Sequence, residues 1–306
     1  MLKVKTVSMK ILSDLTTPVS IFLKLREHFA EILLLESSDY SSKEDSQSFI
    51  CFDPLLTLKF ENENFTFQNK LNGEIENAYA HNSIQAISKM LKDIECVNDT
   101  AGQRFNGIFG YTGFDMVQEF EGIQFNKNKE NNGIPGLRYD FFRHIIVFDH
   151  FYGELFLIEN VIEGQDEHID KVLSIISRQD HQTYTFNLSG NENKNMEDTD
   201  FLEIVHKAKS NCQRGDVFQM VLSRRFSQDF KGDEFNVYRA LRSINPSPYL
   251  FYYDYSTYRI FGSSPEAQMV VHEGIAEIHP IAGTFRRTGD DIKDQELAIK
   301  LLEDPK

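Results

Sequence analysis

Apolar and polar positions alternate along the chain with two periods, and each period predicts its own kind of element. Residues 2–8 alternate weakly and predict a strand. Between Pro18 and Ala30, apolar residues fall at Val19, Phe22, Leu23, Leu25 and Phe29. That approximates helical spacing, and Pro18 suits a first turn, where its missing N–H has no partner to lose. The run Ile32-Leu33-Leu34-Leu35 is too short for a lone helix and predicts a buried strand, with Glu36 and Ser37 at its end. Ser48 to Phe52 predicts a second strand, ended by Asp53-Pro54. Leu55 to Gln68 alternates around Leu58, Phe60, Phe65 and Phe67, with Glu61 to Asn64 as a hairpin turn. Ile84, Ile87, Met90, Leu91 and Ile94 share one face of a helix predicted over 83–94. Tyr139 to Asp149 and Gly153 to Val161 predict paired strands, and Glu167 to Arg178 a helix.

Periodicity fades over 179–198, and Asn187 to Asp198 is nearly all polar. This predicts a boundary or crossover linker. Beyond it, Asp200 and Glu203 form a capping-box pair ahead of Phe201, Ile204, Val205 and Ala208, and Gly215 suits a C-terminal cap. Val217 to Phe226 predicts a strand. Phe235 to Ile244 predicts a helix stopped by Asn245-Pro246. Tyr249 to Tyr253 with Tyr258 to Phe261 predicts a hairpin. Met269 to Val271 with Ile275 to Ile278 predicts another, turned at Glu273-Gly274. Asp291 to Leu302 predicts a last helix.

With 306 residues, of which 41% are hydrophobic, the chain has room for one large or two ordinary domains around a real core. A net charge of −15 disfavours nucleic acid and anionic membrane as partners, because their phosphates would be repelled. An anionic small substrate would need a local basic pocket. Cys51, Cys96 and Cys212 are odd in number and lack metal-ligand spacing, which predicts reduced thiols packed as small hydrophobes. Charges interrupt the apolar positions of Met1 to Lys10, so no signal peptide is read there. No apolar run approaches the roughly 18 residues of a membrane helix. A cytoplasmic location is expected.

Candidate chemistry gathers at His279-Pro280-Ile281-Ala282-Gly283-Thr284. Pro280 cannot donate to a ladder, Gly283 admits close backbone approach, and Thr284 offers a hydroxyl. The stretch is a strand-to-loop corner or a loop whose N–H groups hold a carboxylate or phosphate. The glycines of 107–113 do not have dinucleotide or phosphate-loop spacing and predict close packing of a strand on a helix instead.

Four segments, in order, resemble the signatures of the chorismate-binding enzymes: Gly215 to Phe226, Asn245-Pro246-Ser247-Pro248-Tyr249-Leu250-Phe251-Tyr252, Gly262-Ser263-Ser264-Pro265-Glu266, and Pro280 to Thr284. Leu34-Leu35-Glu36-Ser37 and the segment from Gly110 to Val117 are similar to the anthranilate synthase component I branch. The resemblance implies an α+β fold, a large sandwich of antiparallel sheets with outer helices. It implies an N-terminal region over 1–195 and the first part of a catalytic core over 196–306. It implies a lyase of tryptophan biosynthesis that converts chorismate and ammonia to anthranilate and pyruvate, with Mg²⁺, a glutaminase subunit (component II) as ammonia source, and feedback inhibition by L-tryptophan.

The resemblance also implies roles for residues. Gly283 and Thr284 would hold a chorismate carboxylate. Gln219 stands where water-activating relatives carry Lys and has no usable basicity. Ala282 stands where aminodeoxychorismate synthases carry a Lys nucleophile. Glu36, Ser37, Pro248, Tyr249 and Leu250 would hold L-tryptophan. Relatives continue past Glu303-Asp304-Pro305-Lys306, so the metal ligands are expected beyond Lys306, none within the chain, and the 306 residues alone are expected to be inactive. A tryptophan-binding module without catalysis and an aminodeoxychorismate synthase component I remain as alternatives.

Overall fold

The computed structural model describes residues 2–37, 46–77, 82–97, 102, 104–125, 133–279 and 286–302. Its main feature is an 11-stranded sheet. Eight of its strands run in the order β13 (Arg259–Ser264), β12 (Tyr249–Asp254), β2 (Ile32–Glu36), β3 (Gln47–Glu61), β8 (Leu137–Asp149), β9 (Glu154–Ile162), β1 (Leu2–Leu12) and β6 (Ile94–Val97). β4 (Asn64–Asn69) pairs with β3 and with β5 (Ile75–Asn77), and β7 (Ile108–Thr112) pairs with β8. Every pairing is antiparallel except that of β1 with β6. The helices are α1 (Pro18–Leu25), α2 (Ser83–Lys92), α3 (Ile169–Ile176), α4 (Asp198–Arg214), α5 (Phe235–Ile244) and α6 (Asp291–Leu302). The α+β class read from the sequence holds.

The continuous apolar run of β2 has a simple cause. Ile32, Leu33 and Leu34 are all fully buried, so both faces of this strand are covered. Leu33 joins Cys51, Phe142, Ile145, Val147, Ile158, Tyr253 and Tyr255 in one core cluster. A second cluster gathers Leu58, Phe65, Met90, Met116 and Phe141. The chain divides into two compact units, Met1–His181 with Leu241–Lys306, and Gln182–Ala240.

Five local expectations change. Asp53-Pro54 does not end a strand: β3 runs through it, with a register shift against β8 between Pro54 and Leu56. A bulge absorbs the missing proline N–H, and Asp53 takes a positive φ of 60° beside it. The hairpin that follows is tighter than expected. Asn62 and Glu63 both have positive φ (51° and 62°), as a two-residue primed turn requires. The polar stretch read as a linker contains β10 (Phe186–Lys194), paired with β11 (Phe226–Gly232). The predicted strand from Val217 reaches strand geometry only at Phe226. Phe218 is 86% and Val221 84% exposed, so among the described residues the alternating pattern has no face to bury. α4 begins at Asp198, which leaves Asp200 inside its first turn, complementing the helix dipole rather than capping. Gly215 closes that helix with φ +80°.

Candidate functional site

Antiparallel pairing of β2 with β12 sets Leu250 opposite Glu36. Pro248 and Tyr249 precede Leu250, and Ser37 follows Glu36. The five residues expected to hold L-tryptophan therefore converge at one end of this ladder from segments more than two hundred residues apart. Leu250 is buried and Tyr249 exposed. The turn leading into β12 is pinned. The hydroxyls of Ser247 and Ser263 lie 2.8 Å apart, and Ser263 Oγ donates to the Asn245 carbonyl at 2.7 Å.

Glu36 is buried, and its carboxylate is not left to a ligand alone. Arg242 Nη2, from the last turn of α5, lies 3.2 Å from Glu36 Oε1. A cation there also suits the helix C-terminus. Near the same group, Ser48 Oγ and His150 Nε2 are 2.7 Å apart. Burial, helped by the charge of Arg242 and opposed by Asp149, holds the His150 pKa below its ordinary value. The sequence reading assigned nothing to Arg242, Ser48 or His150. Their one signal was the basic residue in the last turn of a predicted helix, which says nothing of what it will meet.

The residues expected to act on chorismate are placed less fully. Gly283 and Thr284, with Ala282, lie outside the described residues. Gln219 is exposed, in the irregular segment before β11. Of the two arginines beside it, Arg224 donates to Asp198 at 2.7 Å and its guanidinium lies 4.5 Å from the Phe226 ring centre. The Arg225 backbone N–H donates to Asn195 Oδ1 at 2.8 Å. His279 is exposed and 3.5 Å from Glu277. Among the described residues, no group of three or more His, Cys, Asp and Glu side chains is placed to hold a metal ion, so none fits Mg²⁺.

Comparison with known proteins identifies the family. The sequence profile of the chorismate binding enzymes matches residues 35–306. Anthranilate synthase component 1 of Acetivibrio thermocellus is 32% identical over 318 residues, covering 98% of this chain and 64% of that protein. The component 1 of Lactococcus lactis is 30% identical, covering 100% of this chain and 66% of that protein. The chain thus spans just under two thirds of the length of these curated relatives. Among solved structures, anthranilate synthase component I of Streptococcus pneumoniae superposes with a TM-score of 0.63 at 25% identity, over 96% of this chain and 64% of that one. The menaquinone-specific isochorismate synthase of Escherichia coli gives 0.61 at 14% identity, over 100% of this chain and 61% of that one, a likeness of fold.

Proposed function

The chain belongs to the family of chorismate binding enzymes, and from this we propose that it forms part of an anthranilate synthase component I. The whole protein would convert chorismate and ammonia to anthranilate and pyruvate, with ammonia delivered by a glutaminase subunit. In this reading residues 1–195 form the N-terminal region and 196–306 the first part of the catalytic core. Gly283 and Thr284 hold a carboxylate of chorismate and fix its position for attack. Ala282 cannot form a covalent adduct and Gln219 cannot activate water as a base, which leaves direct attack by ammonia. In the whole protein, Mg²⁺ would help the ring hydroxyl to leave.

The observation that supports the reading most is the opposition of Glu36 and Leu250 across the β2–β12 ladder. It brings the two segments whose motifs resemble a tryptophan site to one end of the same ladder. We assign that place to L-tryptophan. The carboxylate of Glu36 has lone pairs for both the Arg242 guanidinium and a ligand ammonium. Ser37 and the backbone of 248–250 then orient the remaining groups. Tryptophan binding at this end would set feedback inhibition.

Calorimetric titration of the 306-residue chain with L-tryptophan and with chorismate tests this. Tryptophan should bind, and Glu36→Gln should weaken it roughly tenfold or more, the scale of one hydrogen bond to a charged group. Chorismate with ammonia and Mg²⁺ should give no anthranilate fluorescence from the 306 residues by themselves. Heat of tryptophan binding unchanged by Glu36→Gln would sink the inhibitor assignment.

A further inference from the structure

The opposite end of the β2–β12 ladder opens on a cavity of about 570 Å³. It lies beside Glu31, just before β2, and Tyr255, just after β12. Five residues of strand, about 17 Å at roughly 3.3 Å per residue, separate it from Glu36. Its size suits a small organic molecule, since such sites run from roughly 300 to 1,000 Å³. Phe29, Pro54, Leu55 and the Tyr255 ring supply apolar wall.

The charges around this cavity do not cancel. Lys59, Lys70, Arg138 and Arg143 line it, against Glu31 and Asp53. Counting the buried Asp140 behind Arg138, four cations face three carboxylates. All three carboxylates are already engaged. Arg138 is almost completely buried; its Nε lies 2.9 Å from Asp140 Oδ2 and its Nη2 lies 2.7 Å from Glu31 Oε1. Its guanidinium stacks 3.8 Å from the Tyr255 ring centre. Lys70 Nζ is 2.9 Å from Glu31 Oε2, and Arg143 Nε is 2.9 Å from Asp53 Oδ2. Lys59 is the cation left over. Among the described residues it has no ion-pair partner.

Its position makes this costly. Lys59 on β3 is the register partner of Arg138 on β8, so two cations stand directly opposite on one face of the sheet. Like charges placed so destabilise a sheet. The hydroxyl of Tyr255, a residue of the cavity wall, is buried without a hydrogen-bond partner among the described residues. An ammonium with no ion-pair partner among the described residues thus lines an open cavity that also has apolar wall.

We propose that this cavity is a second ligand site, distinct from the Glu36 end, that binds a singly charged organic anion through a carboxylate placed on Lys59. One spare positive charge calls for one negative charge, and the apolar wall calls for a carbon skeleton behind it. Burial, with Arg138 and Lys70 next, holds the Lys59 pKa below its ordinary value, and an arriving carboxylate relieves that penalty. The site does not depend on the tryptophan assignment, since it shares no residue with it.

The probe is 2-naphthoate, with uncharged 2-naphthamide as its twin, followed by ligand-observed NMR on the 306-residue chain. Naphthoate should bind and naphthamide should not. Lys59→Met should weaken naphthoate roughly tenfold or more, and Lys59→Arg should retain it, while the response to L-tryptophan stays unchanged in both. Lys59→Met removes a like-charge pair, so its thermal midpoint should equal or exceed that of the wild type. No naphthoate binding, equal binding of both probes, or full binding by Lys59→Met would each overturn the proposal.

Discussion

His144 on β8 stands between two carboxylates and hydrogen-bonds to neither. Its Nδ1 is 4.0 Å from Asp53 Oδ2 and its Nε2 is 3.7 Å from Glu159 Oε1. The ring instead stacks on Phe52, with centres 5.0 Å apart. Burial, aided by the charges of Arg143 and His168, lowers its pKa from 6.5 to about 3. The folded chain therefore binds fewer protons at this site than the unfolded chain between those values. The stability contributed by His144 is fully present above pH 6.5 and is lost as pH falls toward 3, by about 1.4 kcal/mol for each pH unit in that window. Burial also pushes the Asp53 carboxyl up, despite Arg143, and that group works in the opposite sense at lower pH. Urea midpoints measured from pH 7 to pH 4 should fall for the wild type and fall less steeply for His144→Gln. Parallel slopes would remove His144 from the account.

At the scale of elements, β7 is held to β8 by an omission. A Cβ on Gly110 would sit 1.9 Å from the Arg138 carbonyl oxygen, so only glycine allows this approach. Gly110→Ala should push the strands apart and cost about 1–3 kcal/mol or more, read as a lowered thermal midpoint. An unchanged midpoint would mean that β7 contributes little to the sheet. The same glycine was legible in the sequence as a close-packing signal, but the partner expected was a helix and the one found is the strand β8. β2 was legible because both its faces are buried, and the β12–β13 hairpin because its tyrosines and phenylalanines end at clear breaks. β10 was not: nearly all its side chains face solvent, so burial leaves no pattern in its residues. Val217 to Phe226 failed in the reverse way, since alternation records an affinity for a face that the described residues do not supply. That Glu36 and Leu250 would lie together was expected from their motifs, and β2 and β12 do pair there. Arg242 was not, because an ion pair between a helix end and a distant strand has no sequence period.

Across the whole molecule, a net charge of −15 coexists with one cavity where cations are in excess. The general field discourages polyanions, while a local pocket can still accept one small anion. The order in which the sheet is completed has a different consequence. β2 takes one neighbour, β3, from the residues that follow it, but its other neighbour is β12. Glu36 and Leu250 are 250 − 36 = 214 residues apart. At roughly 5–20 residues per second of synthesis, the free edge of Ile32-Leu33-Leu34-Leu35 waits roughly 10–40 s for its partner. An apolar strand with an open edge is a template for pairing with another chain. Backbone amides of β2 should exchange quickly in ribosome-bound chains stalled before Tyr249, and slowly once Asp254 has emerged. Equal protection in both would mean that β2 is sheltered by another route. A nascent chain of this protein thus spends much of its synthesis with its stickiest strand uncovered, and it is during translation, before any ligand site exists, that it most needs a chaperone.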